Sequence, residues 1–124
     1  GLLFIDELEG IDTEVPVFRK YLDVQTWLVG SQGASLFAGP LLSGEMWSSA
    51  RVTDYIEPIP VANSLAASWF HPNTLIGWKS ERGIQTRFGA TFLEEISMEL
   101  DSLKDRGDGE IQSLWRMRRL VLRR

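Results

Sequence analysis

The chain contains no cysteine and a single histidine, His71, among 124 residues. Without cysteine there can be no disulfide, thiolate metal site or cysteine nucleophile. One histidine cannot build a multi-histidine metal centre within one chain, and neither metal nor cofactor is expected. Absence of cysteine also suits a reducing compartment. No apolar run approaches the roughly 18 residues of a membrane-spanning helix, so integral membrane insertion is not expected. A basic surplus is missing as well: 13 Lys and Arg stand against 17 Asp and Glu, a net charge of -4. That balance argues against a general nucleic-acid binder. No G-x-x-x-x-G-K-[ST] phosphate loop and no G-x-S-x-G nucleophile elbow occur.

What is present has the make-up of a soluble globular protein, 44% hydrophobic and 24% charged, long enough for one domain over 1–124 with a real core. Charge is uneven along it. Asp6, Glu7, Glu9, Asp12 and Glu14 crowd the start, which reads as an acidic arm or edge strand over 1–14. Arg116, Arg118, Arg119, Arg123 and Arg124 crowd the end. Such asymmetry predicts two solvated faces that touch each other, with a partner site as the alternative. Because it begins on Gly1, the chain is expected to have lost a leader, tag or polyprotein neighbour, or to be a fragment; residues 1–10 are too acidic, and too short in their apolar part, for a signal peptide.

Residues 17–29 predict a helix. Phe18, Tyr21, Leu22, Gln25, Leu28 and Val29 follow helical spacing, Pro16 suits the first turn and Gly30 the stop. Residues 31–44, with Gly33, Gly39, Pro40 and Gly44, predict a loop folded over the core or a lid over a cavity. From Glu45 the texture is β-rich; Pro58 and Pro60 confine that strand to an edge or an end. Two short strands over 65–70 and 74–79 are expected about a His71-Pro72-Asn73 turn.

Residues 84–100 alternate apolar and polar, the period of a half-buried strand. The turn-rich 105–109 and a second apolar run over 110–122 complete a long hairpin. A helix competes from Thr91 onward: Thr91-Phe92-Leu93-Glu94 is a capping-box pattern, and Phe92, Ile96, Leu100 and Leu103 have helical spacing. The strand is preferred because the alternation begins earlier and because a helix would turn Met98 away from the core. Folding the hairpin about Gly107 sets Leu100 against Trp115, Met98 against Met117 and Glu99 against Arg116. Glu94 and Arg119 are then left as diagonal neighbours on the dry face. A buried carboxylate and guanidinium must pair or reach water. They become candidate pocket anchors, Arg119 clamping an anion and Glu94 serving as a base; the bland alternative is a rim salt bridge.

Tyr55 and His71 join them as candidate pocket residues, although a lone turn histidine is more often decoration. Trp27, Trp47, Trp69, Trp78 and Trp115 suit a core and an interface better than a stacking platform for sugars or bases. Trp115, Arg116, Arg118, Arg123 and Arg124 are the candidate partner-binding residues, on a strand or, alternatively, an amphipathic helix.

The opening Leu2-Leu3-Phe4-Ile5-Asp6-Glu7 resembles a Walker B segment, whose carboxylates would serve Mg²⁺ and water, but the phosphate loop it works with is missing. The order of elements and the turn Asp108-Gly109-Glu110-Ile111 resemble the cystatin-like and NTF2-like cone folds. The resemblance implies a conical sheet around a cavity and carries over no active site. The expected architecture is therefore α+β: an N-terminal helix packed on a strongly curved antiparallel β-meander that ends in a long hairpin, cone- or barrel-like. The expected function is a non-catalytic assembly or interaction module with a protein partner or self-association. The alternative is a small-molecule pocket protein, an isomerase or hydrolase using Glu94 and Arg119.

Overall fold

A computed structural model describes residues 1–33, 36–37, 51–79, 81–107 and 109–123, the side chains of 73–77 and 79 excepted. Its elements run β1 (Leu2–Thr13), α1 (Pro16–Ser31), β2 (Arg51–Ala62), α2 (Asn63–Lys79), α3 (Arg82–Phe88), α4 (Ala90–Arg106) and β3 (Ile111–Arg123). The class is α+β. Among the described residues there are four helices and one open antiparallel sheet in the order β1-β3-β2. The last strand thus lies in the centre and pairs with both others.

Helix α1 matches the periodicity of its sequence, with Pro16 in the first turn and Val17, Phe18, Tyr21, Val24 and Leu28 buried. It runs two residues past the expected end at Val29, and Ser31 donates its hydroxyl to the Leu28 carbonyl at 2.7 Å. Strand β2 is an edge strand carrying Pro58 and Pro60, where a missing N–H costs least.

The meander and the long hairpin are not formed, and the open sheet does not close into a cone or barrel. Residues 65–70 and 74–79 belong to one helix, with Pro72 inside it. Pro72 removes a helical hydrogen bond at a cost of about 3 kcal/mol. Burial of Ala66, Ala67, Phe70 and Trp78 offsets it, since an aromatic side chain alone contributes roughly 1.5–3 kcal/mol. Residues 84–100 are helical too, broken at Gly89 with φ 89°. Three facts favour helix. Glu94, Glu95, Met98, Glu99 and Leu100 are strong helix formers. Leu93, Ile96 and Leu100 make one buried stripe while Met98 is 66% exposed. Gly107, at φ 62° and ψ 17°, closes α4 in the left-handed conformation. The apparent capping box is not used; Gly89 caps the helix without a side-chain hydrogen bond.

The core lies where the helices meet one end of the sheet. Tyr21 stacks on Phe70 at 4.5 Å, Phe18 meets Phe70 edge-on at 5.3 Å, and Trp115 extends the stack from the sheet. Ile11, Ile59 and Val61 join from the strands. Trp27 and Phe88 pack edge to face at 5.8 Å. Among the described tryptophans Trp78 is buried, Trp27 and Trp115 pack against the core, and Trp69 is 61% exposed. Trp47 and most of the predicted loop or lid over 31–44 fall outside the described residues.

Candidate interaction surface

The strands are longer than the layer of helices that covers them. Twelve residues of extended chain span roughly 40 Å. The core uses only the end that carries Ile11, Ile59 and Trp115. Toward the other end Leu2 is 52% exposed, Phe4 71% and Tyr55 56%. These three share one face, the face that Trp115 presents to the helices farther along β3: Leu2 pairs with Arg123, Phe4 with Val121 and Tyr55 with Arg119.

A register shift between Leu8 and Gly10 makes that possible. Side chains alternate with a period of two, so without an inserted residue Phe4 and Ile11 would lie on opposite faces. The insertion sends Ile11 into the core, while ordinary alternation from Leu8 leaves Glu9 on the opposite face, with Glu7 and Arg118. Arg118 donates to Glu9 through Nε at 2.8 Å and Nη2 at 3.2 Å, and to Asp54 through Nη1 at 2.6 Å. One guanidinium thereby ties all three strands. The hydrogen bonding from Arg118 holds the Glu9 carboxyl below its ordinary range, and Glu9 in turn raises the Arg118 value. Leu120 and Leu122 are buried on this same face, outside the helical core.

On the helix-side face, Arg119 lies 2.9 Å from Asp6 and 3.1 Å from Glu57. Arg116 lies 3.0 Å from Asp12. The crowded charges of the two chain ends thus meet strand against strand. Asp6, of the Walker B-like segment, is a partner of Arg119.

Of the candidate pocket residues, Tyr55 and Arg119 are brought together, and Glu94 and His71 lie elsewhere. Arg119 is on the core-side face of β3, as the alternation of its strand requires, but its carboxylates come from β1 and β2. Glu94 is exposed on α4, because α4 turns Leu93, Ile96 and Leu100 inward instead. Tyr55 is the in-register neighbour of Arg119. His71 is on α2, its Nε2 3.7 Å from Asp101, which Lys104 also approaches at 3.1 Å. A turn over 71–73 offers His71 no carboxylate neighbour; a helix beside α4 brings it to Asp101. Of the candidate partner-binding residues, Trp115 is in the core stack, Arg116 and Arg118 are in ion pairs, and Arg123 is exposed at the end of β3. Arg124 lies outside the described residues. Leu2 and Phe4 belong to the arm or edge strand expected over 1–14, and alternation alone does not say which of its apolar side chains stay outside the core.

Between the bare end of the sheet and the core is an apolar cleft of about 220 Å³, lined by Leu8, Tyr21, Phe37, Trp69, Phe70 and Trp115 among others. Among the described residues no group of three or more His, Asp or Glu side chains is placed to hold a metal, and no helix is long and apolar enough to cross a membrane. Comparison with protein-family models, curated proteins and solved structures finds no match to this chain.

Proposed function

We propose that the chain is a non-catalytic interaction module that holds a place in a larger protein assembly, and that its contact surface is the end of the sheet beyond the helices. The observation that carries this reading is the exposure of Leu2, Phe4 and Tyr55 on one face. Large apolar side chains grouped at the surface mark contact sites more often than isolated ones do. The charges among them support an apolar rather than an ionic contact, because Arg119 is already paired with Asp6 and Glu57. Photo-crosslinking from position 55 in the intact chain tests the reading. A discrete covalent adduct with a protein, lost in the Phe4→Asp variant, is expected. No protein adduct at any concentration overturns it.

A second reading, a small-ligand binder, is favoured by the aromatic cleft and not by Glu94 and Arg119, which are held on separate elements with separate surroundings. An apolar aromatic ligand would enter between Trp69, Phe70 and Trp115. Quenching of tryptophan fluorescence by such a ligand, abolished by Trp69→Ala, distinguishes it from the first.

A further inference from the structure

We infer that the outer edge of β1 pairs with β1 of a second copy of this chain, antiparallel, with Phe4 facing the partner's Phe4, so that two open sheets join into one. This rests on the reading of the sheet end as a contact surface and names its occupant.

The two edges of the sheet differ. β2 carries Pro58 and Pro60 and a register shift between Arg51 and Thr53, features that discourage strand addition. β1 has no proline, and from Leu2 to Leu8 its register is unbroken. Among the described residues no strand lies beyond it. A regular apolar edge of this kind presents unpaired N–H and C=O groups to any strand of matching pattern.

The sequence of β1 matches itself in one register. With Phe4 on the two-fold axis, Leu3 faces the partner's Ile5, and Leu2 faces the partner's Asp6. The acidic stretches from Asp6 to Glu9 then lie at opposite ends of the seam. Parallel pairing in register would set Asp6 against Asp6 and Glu7 against Glu7. Antiparallel pairing centred farther along would bring the acidic stretches together, and like charges directly opposite are destabilising. A basic peptide is the less suitable occupant. Asp6 and Glu9 are already paired with Arg119 and Arg118, and what β1 offers at its edge is apolar. The contact is isologous and closes at two copies. It joins the exposed faces of both sheets and sets the two Phe4 rings side by side, an aromatic cross-strand pair.

The test uses the whole chain. Sedimentation over a wide concentration range is expected to show the mass rising from 14.1 kDa toward twice that value. Phe4→Lys, a change at a 71% exposed side chain, should keep the circular-dichroism spectrum and weaken association by roughly tenfold or more, through loss of the ring pair and gain of facing like charges. The natural chain has no cysteine, so single cysteines report the register. Phe4→Cys should cross-link to itself on mild oxidation. Leu2→Cys should not, because the two Leu2 positions would be four residues out of step, roughly 13 Å along the strands, beyond the ~7 Å limit for a disulfide. A mass fixed at 14.1 kDa, or equal cross-linking at both positions, overturns the pairing. If the mass stays fixed while position 55 still captures a different protein, the inference fails and the interaction reading stands; if position 55 captures nothing, the reading fails as well.

Discussion

Arg118 is in register with Glu7 but bonds Glu9, donating to both carboxylate oxygens at 2.8 and 3.2 Å. Glu9 lies two residues on from Glu7 on the same face, a diagonal neighbour of Arg118. The residue inserted after Leu8 then turns Ile11 to the core, so β1 serves the clasp on one face and the packing of the helices on the other.

Arg118→Ala should therefore weaken the whole sheet. It leaves the half-sheltered carboxylate of Glu9, 13% exposed, uncompensated, and leaves Asp54, 19% exposed, with Arg51 at 3.3 Å. Breaking a fully buried pair costs about 3–5 kcal/mol; with this partial exposure roughly 1–3 kcal/mol is expected in urea unfolding. Arg118→Lys should recover only part of the loss, because an ammonium cannot supply the two-pronged contact to Glu9.

Acid should release the same clasp. The folded Glu9 carboxyl is held below its ordinary value of 4.5, chiefly by hydrogen bonding from Arg118. A lowered carboxyl contributes stability that is fully present above the unfolded value and disappears as pH falls through the folded one. Relative to wild type, Glu9→Gln should be less stable at neutral pH, and the difference should shrink below 4.5. Denaturant unfolding of both proteins as a function of pH measures this; a difference independent of pH would count against the clasp.

Gly10 is buried beneath the Arg116 side chain, and a Cβ there would occupy the place of its guanidinium. The obstacle is the movable end of a long side chain, so Gly10→Ala should fold, with Arg116 displaced from Asp12. Those side chains are 41% and 61% exposed, and exposed pairs contribute roughly 0–1 kcal/mol. A loss of less than about 1 kcal/mol is expected in thermal or urea unfolding; failure to fold would mean that Arg116 cannot move.

Two substitutions on α4 separate helix from strand. Met98→Lys, at a 66% exposed position, should change stability by no more than about 0.5 kcal/mol. Ile96→Ala, at a 1% exposed position, should cost roughly 2–5 kcal/mol. In the hairpin both residues would lie on the dry face and both changes would be costly. Urea unfolding of the two variants discriminates.

Local signals in the sequence were sufficient for α1, whose apolar spacing and initial proline survive in the fold, and for β2 as an edge strand, since proline has no N–H to give a central ladder. They were insufficient for 84–100. There the period of two arose from a chance succession of residues across Gly89, and the helical stripe of Leu93, Ile96 and Leu100 lay beneath it. Pro72 misled for a related reason: a proline disfavours a helix locally, and only burial of Ala66, Ala67, Phe70 and Trp78 against other elements overrides that preference. The pairing of Arg119 was half legible. Its place on the core-side face follows from alternation along one strand, but the identity of its acid depends on which strands lie beside β3.

Residue order alone thus determined the α+β composition, the first helix, the edge position of the proline-bearing strand and the opposite charges of the two chain ends. These are consequences of backbone sterics, local periodicity and charge, all readable within a few residues. The tertiary structure decided that β3 lies between β1 and β2, that Asp6, Glu9 and Asp12 meet Arg119, Arg118 and Arg116, and that Phe4 stays outside the core. Those outcomes depend on contacts between residues about a hundred positions apart, where strand order and register, not local preference, determine which side chains share a face.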